Sequence, residues 1–260
     1  MATNSTTTTN STTTTTTNLT TEVSTVRAIS GTGLASTALA DNSSTILVYF
    51  QATDGHIIEL TYTLPTLADM SPESVALVAD SQVDMPVEAV TSSALSAASY
   101  VLNGQIYRQL FFANSGLSVQ QVNMTNQTDA WTSASSIDAS EDNFWSLALD
   151  SPALCACTSP PTNGVLLCGE NSSTGKMTSY FMFFETQTWQ QLSGPQNDCE
   201  FGGISCLPSI SWAAASTDNS FTYTCIFYPN ASMYLEEYYV DGNNVTQGWV
   251  SGRSSRRPRV

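Results

Sequence analysis

Positive charge is scarce in this chain. It has 7 Lys+Arg against 22 Asp+Glu in 260 residues, a formal charge of −15. Four of the seven cations, Arg253, Arg256, Arg257 and Arg259, stand in the last eight residues, so the rest carries 3 − 22 = −19. A surface of that sign repels phosphate backbones and anionic headgroups, which argues against nucleic-acid and membrane-surface partners. Histidine is nearly absent. The single residue, His56, reads as an exposed loop side chain and argues against zinc sites or chemistry built from several imidazoles. No Gly-rich phosphate loop ending in Lys-Ser/Thr and no dinucleotide fingerprint occurs, and no cofactor or metal is expected. No run of 18 apolar residues occurs, so no membrane-inserting helix is expected within this chain. Residues 1–22 lack the charged and apolar regions of a targeting signal.

What is present suits an oxidising, secretory setting. Apolar residues make up 41% and aromatics 10%, enough to build a core. There are six cysteines, and Asn-X-Ser/Thr sequons occur at Asn4, Asn10, Asn18, Asn42, Asn123, Asn126, Asn171, Asn230 and Asn244. Together they predict a glycosylated extracellular or cell-surface protein. The chain is then expected to be a fragment whose signal or anchor lay upstream. Residues 1–25 are a Thr/Asn/Ser tract with almost no apolar side chains, expected to be a disordered stalk. Residues 26–252 form the folded domain, and residues 253–260 a basic tail.

Within the domain a weak repeat emerges. A small-residue strand surrounds an apolar anchor at Leu34, Leu95, Leu154 and Trp212, spaced 61, 59 and 58. A second strand follows at Ile46–Gln51, Tyr107–Phe112, Val165–Cys168 and Thr224–Tyr228. A third follows at Ile57–Tyr62, Ser118–Val122, Met177–Phe181 and Tyr234–Tyr239. Three units close with a tryptophan, Trp131, Trp189 and Trp249, spaced 58 and 60; the first has none. Two landmarks keeping one period predict an all-β fold, a β-propeller of about four four-stranded blades, with small residues on the innermost strand of each. A β-sandwich with fortuitous spacing is the competing architecture. No segment shows a 3.6-residue period, so helix content should be low.

Cys155 and Cys157 alternate along one strand and would share a face. Cys168 stands on the next strand of the same hairpin, so a bridge within the third unit is one expectation. Cys199 and Cys206 could staple a short loop, leaving Cys225 to one of the first pair. Six cysteines allow fifteen connectivities, and all remain open.

The run Gly31-Thr32-Gly33-Leu34-Ala35, then Ile46-Leu47-Val48-Tyr49-Phe50-Gln51, Asp54-Gly55 and Ile58-Glu59 resembles one blade of the fungal fucose-specific lectins. The resemblance covers roughly residues 26–252. It implies a six-bladed propeller binding L-fucose between blades; four blades would either close as a small ring or be part of the larger one. One blade would supply an Arg on its second strand and a Glu on its third. The next would supply the residue after its own Glu position and its closing Trp. The Arg fork and the carboxylate would hold sugar hydroxyls, and the indole would cover the apolar face of the ring. Carried over position by position, blade one keeps Glu59 but has Leu47 for the Arg. Blade two has Arg108 but Gln120 for the Glu. Blade three has Leu167 and Ser179, and blade four Thr224 and Glu236. No blade keeps both. The partners would be Gln121 and Trp131 for Glu59, and Tyr180 and Trp189 for Arg108. The best surviving set is Arg108, Gln120, Tyr180 and Trp189. Losing one charged hydrogen bond of roughly 1.5–3 kcal/mol would weaken a site by about 10- to 150-fold.

Each residue also has a plainer reading. The tryptophans would pack between blades, Arg108 would pair with a nearby carboxylate, and Glu59 and Glu236 would be solvated strand residues. The functions in competition are a lectin-like propeller binding fucosylated glycans, with partly degraded sites, and a non-sugar-binding structural or protein-interaction propeller. An enzyme is not expected: the acidic loop of Asp138, Glu141 and Asp142 has no evident partner, so no catalytic residue is assigned.

Overall fold

Among the described residues, short stretches rich in β-branched and aromatic residues, punctuated by turn residues, fold into sixteen strands. The computed structural model describes residues 26–65, 75–128, 130–133, 154–159, 164–171, 176–192, 210–215, 222–229, 235–241 and 250–251, the last four segments by their backbone. The expected stalk, the basic tail, the acidic loop, Cys199, Cys206 and Trp249 lie outside them.

The first sheet joins β1 (Leu34–Leu39), β2 (Asn42–Gln51), β3 (Ile57–Thr63) and β4 (Ala76–Val83). The second joins β5 (Leu95–Leu102), β6 (Gln105–Ala113), β7 (Val119–Thr125) and β8 (Thr132–Ser133). The third holds β9 (Leu154–Ser159), β10 (Gly164–Asn171), β11 (Lys176–Phe183) and β12 (Trp189–Gln191), and the fourth β13 (Ile210–Ala215), β14 (Thr222–Pro229), β15 (Leu235–Asp241) and β16 (Val250–Ser251). Each sheet is an antiparallel meander in sequence order. Among the described residues there is no helix, as the sequence periodicity predicts.

The first strands of successive sheets adjoin: β1 lies against β5, β5 against β9 and β9 against β13. This inner position explains their small side chains. Ala97 and Ala98 are buried, and serines tie neighbouring blades at the repeat distance. Ser99 Oγ accepts from Ala40 N at 3.1 Å, and Ser96 Oγ accepts from Ala156 N at 2.6 Å. A bulkier inner strand would push the blades apart. Ser96→Ala should cost about 1 kcal/mol in denaturant unfolding, since it orphans a part-buried amide; an unchanged midpoint would mean water replaces the hydroxyl.

Among the described residues, two aromatic-rich cores lie between sheets. Ala35, Leu47, Tyr49 and Ile57 of the first sheet pack on Leu95, Leu110, Phe112 and Val122 of the second. Tyr100, Phe111 and Val119 of the second pack on Leu154, Val165, Leu167, Tyr180 and Met182 of the third. Period-two alternation sends even-numbered β6 residues to the first seam and odd-numbered ones to the second. In the third sheet Cys155 stands directly opposite Cys168, and Cys157 opposite Leu166.

Candidate functional site

The seam between the first two blades holds a charged cluster. Tyr49 on β2 and Glu59 on β3 are directly opposite in the ladder, so both side chains leave the same face. From the second blade, Arg108 on β6 shares its face with Leu110 and Phe112 and meets them. Arg108 Nη1 donates to Glu59 Oε1 at 2.7 Å, with the side chains 19% and 7% exposed. The Tyr49 hydroxyl donates to Glu59 Oε2, also at 2.7 Å. Burial, then the neighbouring Glu59 charge, pushes the Tyr49 phenol well above its usual 10, so it remains a neutral donor. Trp131, just ahead of β8, stands edge-on to Tyr49 with centroids 6.2 Å apart and takes the Arg108 guanidinium at 5.8 Å from its ring centroid. Arg108 Nη2 is directed at the sulfur of Met124, its partner across the β6–β7 ladder.

The next seam repeats the layout without charge. Phe111 and Gln121 stand opposite each other, as Tyr49 and Glu59 do. Trp189 of the third blade is edge-on to Phe111 at 5.8 Å and donates from Nε1 to Gln121 Oε1 at 2.8 Å. Met182 takes the place of Met124, and Val165, its ladder partner, the place of Arg108. Gln109, two residues before Phe111 as Leu47 is before Tyr49, is buried, donates to the Tyr100 hydroxyl at 3.2 Å, and keeps an unpartnered Oε1.

This geometry corrects the expected grouping. Arg108, Gln120, Tyr180 and Trp189 do not form one site. Arg108 and Gln120 face the first blade, whereas Tyr180 and Trp189 face the second. Gln120 turns back on the Ser118 and Val119 carbonyls, and Tyr180 is buried in the second core. Of the set proposed around Glu59, Trp131 is in place, but Gln121 points to the opposite seam and is itself the counterpart of Glu59. The cause is one residue. The anchors Leu34 and Leu95 differ by 61, but their ladder partners Phe50 and Phe112 differ by 62. An offset of one along a strand reverses the face. Glu59 is buried rather than solvated. Glu236 stands on β15 opposite Tyr228, and its side chain lies outside the described residues. Tyr49, Met124 and Gln109 were missed by motif spacing; counting alternation outward from the β2–β3 and β6–β7 turns would have found them.

A separate cavity of about 370 Å³ opens beside the Asp54–Ile57 turn, lined by Asp54, His56, Gln82, Asp84 and Glu88 among others. His56 is exposed, as expected, and its Nδ1 meets Gln82 Nε2 at 3.0 Å. Among the described residues no group of His, Cys, Asp and Glu is placed to hold a metal.

No protein-family profile and no curated protein matches this sequence. Solved structures do match. AofleA from Arthrobotrys oligospora superposes with a TM-score of 0.56 at 18% identity, over 85% of this chain and 56% of its own. The Aleuria aurantia lectin in complex with Fucalpha1-6GlcNAc gives 0.56 at 16%, over 90% of this chain and 66% of its own. The SapL1 lectin in complex with alpha methyl fucoside gives 0.56 at 14%, over 86% and 64%. The fold is that of a β-propeller. This chain spans between about half and two-thirds of the length of these propellers. The four sheets are therefore blades, and the charged cluster lies in a seam between blades.

Proposed function

We propose that this chain is a carbohydrate-binding propeller acting outside the cell, with fucosylated glycans as partners, and that Arg108, Glu59 and Trp131 form its sugar site. The observation that carries this reading is the Arg108–Glu59 pair set beside Trp131 in a blade seam. The sequence places no Arg and Glu in the same blade, yet the seam brings one of each together from two blades. The guanidinium has one strong acceptor, Glu59, and its other arm is directed at a thioether. Sulfur is a weak acceptor, so a sugar hydroxyl in its place gains a charge-assisted hydrogen bond. The half-buried indole offers a face for the apolar side of a pyranose. Lectins of the same fold occur in complexes with Fucalpha1-6GlcNAc and alpha methyl fucoside, which directs the proposal to α-fucosides. The sequon residues Asn42 and Asn126 are exposed, as glycosylation of a secreted protein would need.

A second reading has its own observation. Both Glu59 oxygens are already engaged within the protein, as in a structural clamp of a propeller that contacts proteins instead. Calorimetric titration with methyl α-L-fucoside separates the two. We expect saturable binding that Trp131→Ala weakens about 10-fold or more, the equivalent of losing a desolvated cation–π contact and its stacking face. A folded protein giving no heat up to millimolar sugar would falsify the sugar reading and leave the clamp.

A further inference from the structure

Cys155 and Cys168 belong to the inner hairpin of the third blade, on β9 and β10, 13 residues apart in sequence. The ladder sets them directly opposite each other, so their side chains leave the same face of the sheet as neighbours. That face is turned away from the second blade, because Leu154 and Ala156 on β9 and Val165 and Leu167 on β10 pack into the second core. One hydrogen bond fixes the spacing of the pair. Ala156 N donates to Ser96 Oγ of the second blade at 2.6 Å, so its N–H points away from β10. Ala156 and Leu167 are therefore a non-hydrogen-bonded pair, and the adjacent pair, Cys155 and Cys168, is a hydrogen-bonded one, with Cα atoms about 5.5 Å apart. A disulfide spans about 4.4–6.8 Å between Cα atoms. Cys157 stands opposite Leu166, which makes it a diagonal neighbour of Cys168 at about 7–8 Å, beyond that span.

We propose that Cys155 and Cys168 form a disulfide that staples β9 to β10, with Cys155 meeting the oxidant and Cys168 completing the bond. Access sets that order: Cys155 is half-buried and Cys168 is buried. The oxidant is a small-molecule disulfide of the oxidised-glutathione class. The Cys155 thiolate attacks one of its sulfurs and expels a thiolate. The Cys168 thiolate then attacks the Cys155 sulfur of the mixed disulfide and expels the second. Two protein thiols give up two protons and two electrons and gain one S–S bond, while the small disulfide becomes two thiols. The bridge holds the register of the strand whose Leu154 and Ala156 seat the third blade on the second. A slip of one residue there would reverse both faces of β9. The bridge does not depend on whether the first seam binds sugar.

The test is to reduce and unfold the 260-residue chain and refold it in a mixture of reduced and oxidised glutathione. The product is alkylated, cut with chymotrypsin without reductant, and read by mass spectrometry. The expected result is a species carrying both Cys155 and Cys168, unalkylated at Cys168 and lighter by two hydrogens than the reduced pair. Cys155 and Cys157 share a peptide, so the assay is repeated on Cys157→Ser, which should keep the link at undiminished yield. Dithiothreitol should also lower the thermal unfolding midpoint of Cys157→Ser by about 5–10 °C more than that of Cys155→Ser, since only the former can close this loop. Cys168 recovered alkylated from the refolded wild type, or joined to Cys199, Cys206 or Cys225, overturns the proposal. So does a link whose yield falls by half or more in Cys157→Ser, and equal shifts on reduction would overturn the stapling role.

Discussion

Arg108→Ala should cost about 3 kcal/mol of folding stability, or on the order of 10 °C in the unfolding midpoint of a domain this size. The loss comes less from the missing contact than from what is left behind. Glu59, 7% exposed at its side chain, would keep a full negative charge with only the Tyr49 hydroxyl to hold it. The reverse deletion, Glu59→Gln, should cost less, about 1 kcal/mol, because the guanidinium at 19% exposure reaches water and the amide oxygen still accepts from Tyr49. The second seam shows how a neutral version is built, with Gln121 and Val165 at the equivalent positions and Trp189 donating to the amide. The double variant Arg108→Val with Glu59→Gln should therefore recover most of the stability lost in Arg108→Ala. Denaturant unfolding of the wild type, Arg108→Val, Glu59→Gln and the double variant closes a cycle with a coupling of about 2 kcal/mol. Additive single losses would show that the pair is solvated and carries no folding role. A double variant that is stable yet silent toward methyl α-L-fucoside would separate binding from folding at this seam.

Much of the architecture was legible because each strand carries a local signature. The β1, β5, β9 and β13 strands stand out by small residues about 60 apart, and the second and third strands by β-branched and aromatic alternation. The outer strands are less visible. The first sheet's β4 has no tryptophan, and seven of its eight residues are exposed, so burial left no pattern on it. Site assignment failed at a finer scale. Whether Arg108 or Gln109 faces the first blade depends on one extra residue between the anchor and the ladder partner, 17 residues from Leu95 to Phe112 against 16 from Leu34 to Phe50. A period read from anchors cannot carry that precision. The Arg108–Glu59 pair spans 49 residues and two blades, and no motif confined to one repeat unit encodes it.

Gly33→Ala should be the other costly substitution, about 3 kcal/mol, although it adds one methyl group. The Gly31-Thr32-Gly33 run is where the chain enters the first blade and touches the second. Gly33 N donates to the Ser93 carbonyl at 2.9 Å, and the Thr32 hydroxyl accepts from Gln51 N, also at 2.9 Å, which fixes the entry strand on both sides. A Cβ on Gly33 would lie 2.5 Å from Leu95 N and 3.0 Å from the Ser93 oxygen. Both are backbone atoms, so no side chain can rotate away, and β1 must move off β5. That motion would strain the Ala40–Ser99 bond and shift the face bearing Tyr49 and Glu59 relative to Arg108, so on the proposed sugar-binding reading affinity should fall with stability. Gly31 offers the control. Its φ of +79° demands glycine for a different reason, and its added Cβ would meet only the Ser92 side chain, at 3.5 Å. Gly31→Ala should cost the backbone penalty alone, about 1 kcal/mol, and leave the seam in register. Thermal unfolding of the two variants distinguishes them: equal losses would mean that backbone conformation, not the approach of the two inner strands, is what the motif preserves.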